Sequence, residues 1–180
     1  MKKGGSGMYL LLGHRGTDGK AEAWDLLRRA LGEAFGLEEL PAVERLARGK
    51  PWFPGRPDLR FNLSHSGPFS LCAVGEGEVG VDIEVVRPRS PGLARRALSD
   101  GEYRWYEERG GRLEDFYTLW TRKESLAKYT GEGIADVRQI VPPLPGEESP
   151  GGPALRSWAG EGWRAALCGE GPLPEEIRWV

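Results

Sequence analysis

The sequence predicts an α+β fold made of two similar halves, each a small antiparallel sheet packed with helices. Residues 8–86 contain short apolar segments bounded by Gly, Ser and Pro, which are typical of strands. After a breaker-rich linker at 87–92, apolar residues recur at helical spacing, and strand-like segments return near the C-terminus. The segment CAVGEGEVGVDIEVV from Cys72 aligns with ALCGEGPLPEEIRWV from Ala166, which indicates an internal repeat. We therefore expect an N-terminal half at 8–86, a C-terminal half at 87–180 and a ligand site at their interface.

Composition sets limits on the function. The 180 residues include 39% hydrophobic residues and seven Trp, enough for a real core. The net charge of −2 provides no basic field for nucleic acid, and no apolar run is long enough to cross a membrane. Cys72 and Cys168 lie in apolar runs and are expected to be buried thiols. We expect a cytoplasmic monomer that binds neither nucleic acid nor membranes, with residues 1–7 (MKKGGSG) as a leader or cloning scar.

The first half is predicted to contain strands and one helix. Apolar residues spaced three and four apart predict an amphipathic helix over 20–35 that ends at Gly36. A strand at 8–12 precedes this helix, with a turn at 13–19 between them. The remaining strands, separated by Ser-Gly and Gly-Glu-Gly turns, are expected at 60–64, 68–74 and 79–85.

The second half is predicted to be helical first and then to form strands. Ser99 and Glu102 have the spacing of a capping box, which predicts a helix through about Glu108. An apolar stripe predicts a longer helix over 113–129 that stops at Gly131. The remaining segments are a Pro- and Gly-rich loop at 142–153 and closing strands at 154–158, 163–168 and 176–180.

Two carboxylates stand one residue apart in the strand segment GVDIEVV (80–86). Residues two apart in a strand point to the same face, so Asp82 and Glu84 are expected side by side. Two like charges held this close favour a bound cation. A half-exposed strand with a solvated face has the same alternation, so this motif needs a third ligand before it indicates a metal site.

The predicted long helix contains WTRKESLAK (120–128). Glu124 and Lys128 are four residues apart and share a helix face, which by itself is typical of a surface ion pair. Only six of the 25 basic residues are Lys, and two of those six lie in the leader. Lys123 and Lys128 are two of the four that remain, with Lys20 and Lys50. Their retention favours a role for a compact point charge.

The segment FNLSHSG (61–67) holds the single Asn of the chain and one of its two His residues. A strand end followed by Ser-His-Ser-Gly places the polar groups of Ser64 and His65 beside a glycine that lets a ligand approach the backbone. An ordinary turn with an exposed His has the same sequence. A Ser/His hydrolase is disfavoured, because adjacent strand residues face opposite sides and no G-x-S-x-G elbow is present.

Four motifs, taken in order, resemble those of the 4′-phosphopantetheinyl transferases. They are GKPWFP (49–54), FNLSHSG (61–67), GVDIE (80–84) and WTRKESLAK (120–128). Their order is similar to that in the broad-specificity type represented by the surfactin-synthetase activator, in which two halves are fused. The resemblance covers about residue 20 to the C-terminus. It implies transfer of the phosphopantetheine arm of coenzyme A to a serine of an apo acyl or peptidyl carrier protein, with release of 3′,5′-ADP.

The resemblance also implies a ligand for the paired carboxylates. Asp82, Glu84 and Glu124 would hold Mg²⁺, or Mn²⁺ in its place, and the metal would bridge the pyrophosphate of coenzyme A. Glu124 would deprotonate the carrier serine, directly or through a metal-bound water, and Lys128 would contact phosphates.

Contacts to coenzyme A follow from the same resemblance. Lys50, Ser64 and His65 match positions that contact it in the family. Fused members carry basic residues for the adenosine phosphates in a longer N-terminal segment. Here that contact is either absent or supplied by Arg15, with other candidates in His14, Lys20 and Arg28.

The resemblance implies an acidic carrier protein as partner, which would suit Arg-rich patches such as Arg87, Arg89, Arg95 and Arg96. Two other functions use the same residues. One is a Mg²⁺-dependent phosphodiesterase or nuclease, which the net charge disfavours. The other is a non-catalytic module that binds coenzyme A or a carrier, which three intact carboxylates disfavour.

Overall fold

In the part of the chain that the structure describes, two main β-sheets and four α-helices make up the fold, which confirms the predicted α+β class. The computed structural model describes residues 9–133, 136–148 and 150–180. The predicted leader (1–7) and Met8, the first residue of the predicted first strand, lie outside these ranges. The strands are β1 (Tyr9–Arg15), β2 (Glu44–Arg45), β3 (Pro51–Trp52), β4 (Arg60–Ser66), β5 (Phe69–Gly75), β6 (Val79–Val85), β7 (Ala154–Gly160), β8 (Trp163–Gly169) and β9 (Arg178–Trp179). The helices are α1 (Gly19–Phe35), α2 (Leu93–Ala97), α3 (Asp100–Glu108) and α4 (Leu113–Thr130), with a 3₁₀ turn at Val137–Gln139.

The first sheet contains β4, β5, β1 and β9 in that order. β5 pairs antiparallel with both β4 and β1, whereas β9 pairs parallel with β1. α1 covers one face of this sheet and buries Leu27 and Leu31 against Phe61 and Val74. None of the helices in the described ranges is both long and apolar enough to span a bilayer.

The second sheet contains β6, β8 and β7 in that order, all antiparallel. One face packs against the first sheet, where Val81, Ile83 and Leu167 meet Leu11 and Leu71 in a buried core. Apolar side chains of β6 thus point inward, and the intervening side chains of the strand point to the opposite face. The two cysteines are buried free thiols, as predicted.

α4 packs on that opposite face of β6. A glycine permits the contact, because a Cβ at Gly80 would collide with the backbone of Ser125 and Tyr129. β6 is therefore held between the core and the helix. This packing brings Asp82 and Glu84 of GVDIE near Glu124 and Lys128 of WTRKESLAK.

The predicted helix ends are confirmed. The Asp18 side chain caps α1, and Gly36 follows its last turn with a φ of 64°, a left-handed conformation that favours glycine. α4 ends in the same way at Gly131. The capping box of Ser99 and Glu102 opens α3.

Several strand ends differ from the prediction, including that of β7, which continues to Gly160 and not to residue 158. β1 continues through the predicted turn to Arg15, because its pairing with β5 extends that far. β4 continues to Ser66, so FNLSHSG is strand up to a tight turn at Gly67 (φ 55°). β9 is only Arg178–Trp179, shorter than the predicted 176–180, because only these two residues pair with β1.

The two sheets exchange strands across the predicted division at residue 86. β6 precedes the division but pairs with β8, and β9 follows it but pairs with β1. The division into halves and the internal repeat stay predictions.

Candidate functional site

Three polar side chains on β4 bridge the edge strands of the two sheets. Asn62, Ser64 and Ser66 alternate along β4 and therefore share one face. Each accepts a hydrogen bond from a backbone N–H of β6, so side chains take the place of backbone pairing between these strands. The bonds run from Val81 N to Asn62 Oδ1 (2.9 Å), from Ile83 N to Ser64 Oγ (3.1 Å) and from Val85 N to Ser66 Oγ (3.1 Å).

The two serines also contact the paired carboxylates. Ser64 Oγ donates to Asp82 Oδ1 at 3.0 Å, and Ser66 Oγ donates to Glu84 Oε2 at 2.8 Å. Asp82 is 4% exposed, and Glu84 is half-buried. The two carboxylates therefore lie on one face of β6, as the strand spacing predicts, and each has one oxygen fixed by a hydroxyl group.

Lys128 on α4 reaches the carboxylates of β6, which together with Glu124 form the carboxylate cluster. Its Nζ donates to Asp82 Oδ1 at 2.7 Å, to the Val81 carbonyl oxygen at 3.1 Å and to Ser64 Oγ at 3.4 Å. The side chain is 29% exposed, so Lys128 borders solvent while its ammonium group binds the carboxylate. The interpretation of Lys128 as a lone surface ion pair with Glu124 is therefore wrong, because its partner is a buried aspartate.

Glu124 lies one turn before Lys128 on α4 and is partly buried. Within the described residues its carboxylate makes no side-chain hydrogen bond. Burial, followed by repulsion from Asp82 and Glu84, raises the pKa of Glu124 to about 7, although Lys128 opposes the shift. Burial also raises the pKa of Asp82, against the attraction of Lys128. One lysine thus faces three carboxylates, and the cluster carries a surplus of negative charge.

The predicted metal ligands are Asp82, Glu84 and Glu124. In the described ranges no three His, Cys, Asp or Glu side chains converge into a metal-binding group. Asp82 Oδ2 is nevertheless buried without a hydrogen-bond partner in that part of the chain. An unpaired oxygen, an all-oxygen donor set and surplus negative charge fit a hard divalent cation such as Mg²⁺.

Lys50 lies at a different point of the same interface. Its Nζ donates to Glu78 Oε2 at 2.8 Å and to the Tyr129 carbonyl oxygen at 2.9 Å, and the side chain is 8% exposed. Arg60 binds the other oxygen of Glu78 at 2.6 Å. Two cations therefore share the single carboxylate of Glu78, and Lys50 ties the GKP loop to the start of β6 and the end of α4.

A cleft of about 370 Å³ opens between the GKP loop, β4 and the end of α4. Lys50 and Lys128 line it, together with Asn62 and Leu63. Arg48 also lines the cleft, and its guanidinium donates to the Glu132 carbonyl oxygen. The cleft therefore has basic groups at its wall and the carboxylate cluster next to it.

Two predicted contacts to coenzyme A lie away from the carboxylate cluster. His65 is exposed and points to the face of β4 opposite Ser64, because strand neighbours alternate. Arg15 lies at the end of β1, where its guanidinium sits 5.5 Å from the centre of the Phe69 ring. An aromatic groove with Trp163 and Trp179 continues from there. The structure thus groups Ser64 with Lys128, but neither His65 nor Arg15 with them.

Lys123, next to Glu124 in the helical motif, has a different environment. Its Nζ donates to Glu102 Oε2 and to the Ile140 carbonyl oxygen, both at 2.5 Å, and the side chain is 0% exposed. Glu102 is also the capping-box residue of α3. Lys123 therefore joins α4 to α3, and its retention has a structural reason.

Sequence reasoning missed three residues of the site. Asn62 and Ser66 bond to β6, and Arg48 lines the cleft. The period-two alternation Asn-x-Ser-x-Ser in FNLSHSG was the available signal for the first two, since it places them on the face of Ser64. Arg48 has no sequence signal beyond its place before the GKP loop.

Comparison with known proteins identifies relatives for this arrangement. The sequence model of the 4′-phosphopantetheinyl transferase superfamily matches residues 78–167, a segment that contains Asp82, Glu84, Glu124 and Lys128. The chain is 34% identical over 147 residues to the 4′-phosphopantetheinyl transferase Sfp of Bacillus subtilis (strain 168), a match that spans 73% of this chain and 65% of that protein. It is 42% identical over 114 residues to the 4′-phosphopantetheinyl transferase AcpT of Salmonella typhi, across 61% of this chain and 59% of that protein.

A further 4′-phosphopantetheinyl transferase of Bacillus subtilis is 36% identical over 113 residues, which span 61% of this chain and 50% of that protein. The chain therefore covers between half and about two thirds of the length of these curated relatives. Because the family match spans half of the chain and includes both acidic and basic site residues, the protein belongs to the 4′-phosphopantetheinyl transferase superfamily.

Proposed function

We propose that this protein transfers the 4′-phosphopantetheine arm of coenzyme A to a serine of an apo acyl or peptidyl carrier protein and releases 3′,5′-ADP. The observation that carries this proposal is the meeting of Asp82, Glu124 and Lys128 beside a cleft with basic groups at its wall. The Glu124 carboxylate makes no side-chain hydrogen bond in the described part of the chain, so it is available to accept a proton. It lies in the segment that matches the superfamily.

The reaction assigns Glu124 the role of proton acceptor. The carrier serine oxygen forms a bond to the phosphorus next to the pantetheine, and its proton passes to the carboxylate of Glu124. The bond from this phosphorus to the bridging pyrophosphate oxygen breaks, and the electron pair leaves with 3′,5′-ADP. Lys128, partly exposed beside Asp82, would stabilise the charge on the phosphate oxygens.

We assign Asp82, Glu84 and Glu124 to a Mg²⁺ ion, with Mn²⁺ as an acceptable substitute. Two observations support this assignment: Asp82 Oδ2 has no hydrogen-bond partner in the described ranges, and the carboxylates carry a surplus of negative charge. When bound, the ion would neutralise charge on the pyrophosphate. Asp82 and Glu84 from β6 and Glu124 from α4 would hold it, and Ser64 and Ser66 keep the two β6 carboxylates oriented.

We place coenzyme A in the cleft between the GKP loop, β4 and α4. Its volume of about 370 Å³ and its basic lining suit a phosphorylated ligand. Lys50, Lys128 and Ser64 lie at its wall or beside it, and Arg48 adds a fourth polar contact. His65 and Arg15 are exposed outside this cleft, His65 on the face of β4 opposite Ser64 and Arg15 at the end of β1.

We infer that an acidic carrier protein binds on the surface after β6. Four exposed arginines support this inference, namely Arg87, Arg89, Arg95 and Arg96. We further propose that the enzyme acts as a cytoplasmic monomer without nucleic acid or membrane partners, and that its halves, 8–86 and 87–180, arose by duplication. The exchange of strands between the two sheets is consistent with that origin.

Intact-mass spectrometry of an apo carrier protein tests the function. The carrier is incubated with coenzyme A, MgCl₂ and this protein, and a parallel sample contains EDTA. We expect the carrier to gain the mass of one phosphopantetheine arm only where metal is free. No gain with carriers of the fatty-acid, polyketide and peptide classes would contradict the proposal. If the protein then still bound coenzyme A, a non-catalytic binding module would be favoured.

A further inference from the structure

We propose that Ser66, together with Ser64, is a positioning residue that sets the orientation of the β6 carboxylates for cation binding. The inference rests on the proposed function only in the use of those carboxylates as cation ligands. It assigns Ser64 a different role from the contact to coenzyme A that the family resemblance implies.

The bonding pattern repeats at each serine. Ser64 accepts from the backbone N–H of Ile83 and donates to the carboxylate of the preceding residue, Asp82. Ser66 does the same with Val85 and Glu84. Asn62 begins the series with Val81, where the preceding residue is a glycine and has no side chain to hold. The repeat follows the two-residue period of both strands, so it is a property of their register and not of one side chain.

This pattern fixes the direction of each hydroxyl group. A serine hydroxyl has one proton to donate, and the backbone N–H of β6 already occupies an acceptor site on the oxygen. The proton of Ser66 therefore points at Glu84 Oε2, and that of Ser64 at Asp82 Oδ1. A carboxylate held at one oxygen keeps its other oxygen in a defined direction. At Asp82 this other oxygen is buried and has no hydrogen-bond partner among the described residues.

Ser66 is the better position for a test, because Ser64 also contacts Lys128 and a change there would disturb two charges. Replacement of Ser66 by Ala removes the donor to Glu84, whereas Ser66→Thr retains it. Ser70 provides a matched control on β5. It is fully buried, and its Oγ donates to the Gly19 carbonyl oxygen at 2.9 Å, so Ser70→Ala also deletes one buried hydroxyl bond.

The experiment measures Mn²⁺ binding by electron paramagnetic resonance, with and without coenzyme A and without any carrier protein. We expect Ser66→Ala to raise the Mn²⁺ dissociation constant about 10-fold, the lower end of the effect of losing an outer-shell partner of a metal ligand. Ser66→Thr and Ser70→Ala should bind Mn²⁺ as the parent does. If Ser66→Ala does not fold, Ser66→Cys keeps the volume with a poor donor and should show the same loss.

Two results would overturn the inference. One is parental Mn²⁺ affinity in Ser66→Ala or Ser66→Cys, and the other is an equal loss of affinity in Ser70→Ala. Because binding is measured without transfer, this test is independent of the proposed activity. A parent protein that modifies no carrier, while Ser66→Ala still weakens Mn²⁺ binding, would refute the proposed function and support the positioning role.

Discussion

Two ion pairs on α4 have the same chemistry and different surroundings. Lys123 and Glu102 meet at 2.5 Å, with side chains 0% and 1% exposed. Lys128 and Asp82 meet at 2.7 Å, with side chains 29% and 6% exposed. Each pair leaves one carboxylate oxygen without a partner in the described part of the chain, Glu102 Oε1 and Asp82 Oδ2. An unpaired oxygen alone therefore does not distinguish a structural pair from a functional one.

The two ion pairs differ in the balance of charge around them. Lys123 faces mainly Glu102, which also caps α3, so this pair is neutral and closed. Lys128 faces Asp82, with Glu84 and Glu124 close enough to raise the pKa of Glu124 further. The second pair therefore belongs to a cluster with a surplus of negative charge, which a bound cation would remove. The first pair should determine stability, and the second should determine activity.

The largest effect on stability is expected at the buried ion pair of Lys123 and Glu102. Lys123→Met leaves the buried Glu102 carboxylate without its cation, which should lower the free energy of unfolding by about 3–5 kcal/mol. Urea denaturation monitored by tryptophan fluorescence measures this change. The double variant Lys123→Met/Glu102→Gln should recover part of the loss, since no buried charge remains. A single variant as stable as the parent would show that the pair is not a structural tie.

Loss of the Asp82 carboxylate should mainly affect activity. Asp82→Asn removes a negative charge next to Lys128 and the oxygen assigned to the cation. We expect the transfer rate to fall by about two orders of magnitude, with the fold retained. Asp58→Asn, on an exposed loop beside Arg56, is the matched control and should transfer at the parental rate. Equal rates for Asp82→Asn and the parent would remove Asp82 from the mechanism.

Because of the surplus of carboxylates, the stability of the metal-free protein should depend on pH. The pKa of Glu124 is raised from 4.5 to about 7 in the fold, so its contribution is full at low pH and is lost as pH rises through 7. Glu124→Gln lacks this loss. Relative to the parent it should gain about 1–2 kcal/mol between about pH 5 and about pH 8, a value reduced for partial solvent screening. Urea titrations at both pH values measure the gain.

The control for that experiment is Glu114→Gln, an exposed glutamate on the first turn of α4. It should show no relative gain between the two pH values. The same pH dependence in both variants would mean that the effect comes from the helix and not from the carboxylate cluster.

The smallest effect is expected at an exposed pair. Arg138 and Asp100 meet at 2.6 Å with side chains 45% and 78% exposed. Arg138→Ala should change the free energy of unfolding by less than about 0.5 kcal/mol, because water screens the charges. Urea denaturation at low and high salt checks this value. A loss comparable to that of Lys123→Met would show that solvent exposure does not determine how much each ion pair contributes to the free energy of unfolding.

The sequence predicted the helices better than the strand ends. Gly36, Gly131 and the Ser99 box are local signals, so the bounds of α1, α3 and α4 could be read from a few residues. The end of β4 depends on pairing with β5, which no local pattern in FNLSHSG reveals. Strand exchange between the sheets depends on residues far apart in the chain and could not be predicted from either segment alone.

The site likewise has features that local sequence patterns predict and features that depend on packing. The two-residue period of β6 places Asp82 and Glu84 together, and the helical period places Glu124 and Lys128 together. That Lys128 binds Asp82, that Lys123 turns away to Glu102 and that Ser66 holds Glu84 follow from packing between elements. The prediction that retained lysines act at the site therefore requires correction for Lys123, whose charge is needed inside the fold.

The role of Glu124 is tested most directly by the transfer rate of Glu124→Gln, measured by intact mass of an apo carrier protein under conditions where the variant is fully folded. We expect transfer to fall by a factor of about 100 or more, while Glu114→Gln transfers at the parental rate. Parental transfer by Glu124→Gln would contradict the assignment of Glu124 as proton acceptor and the division between a structural and a functional ion pair on α4.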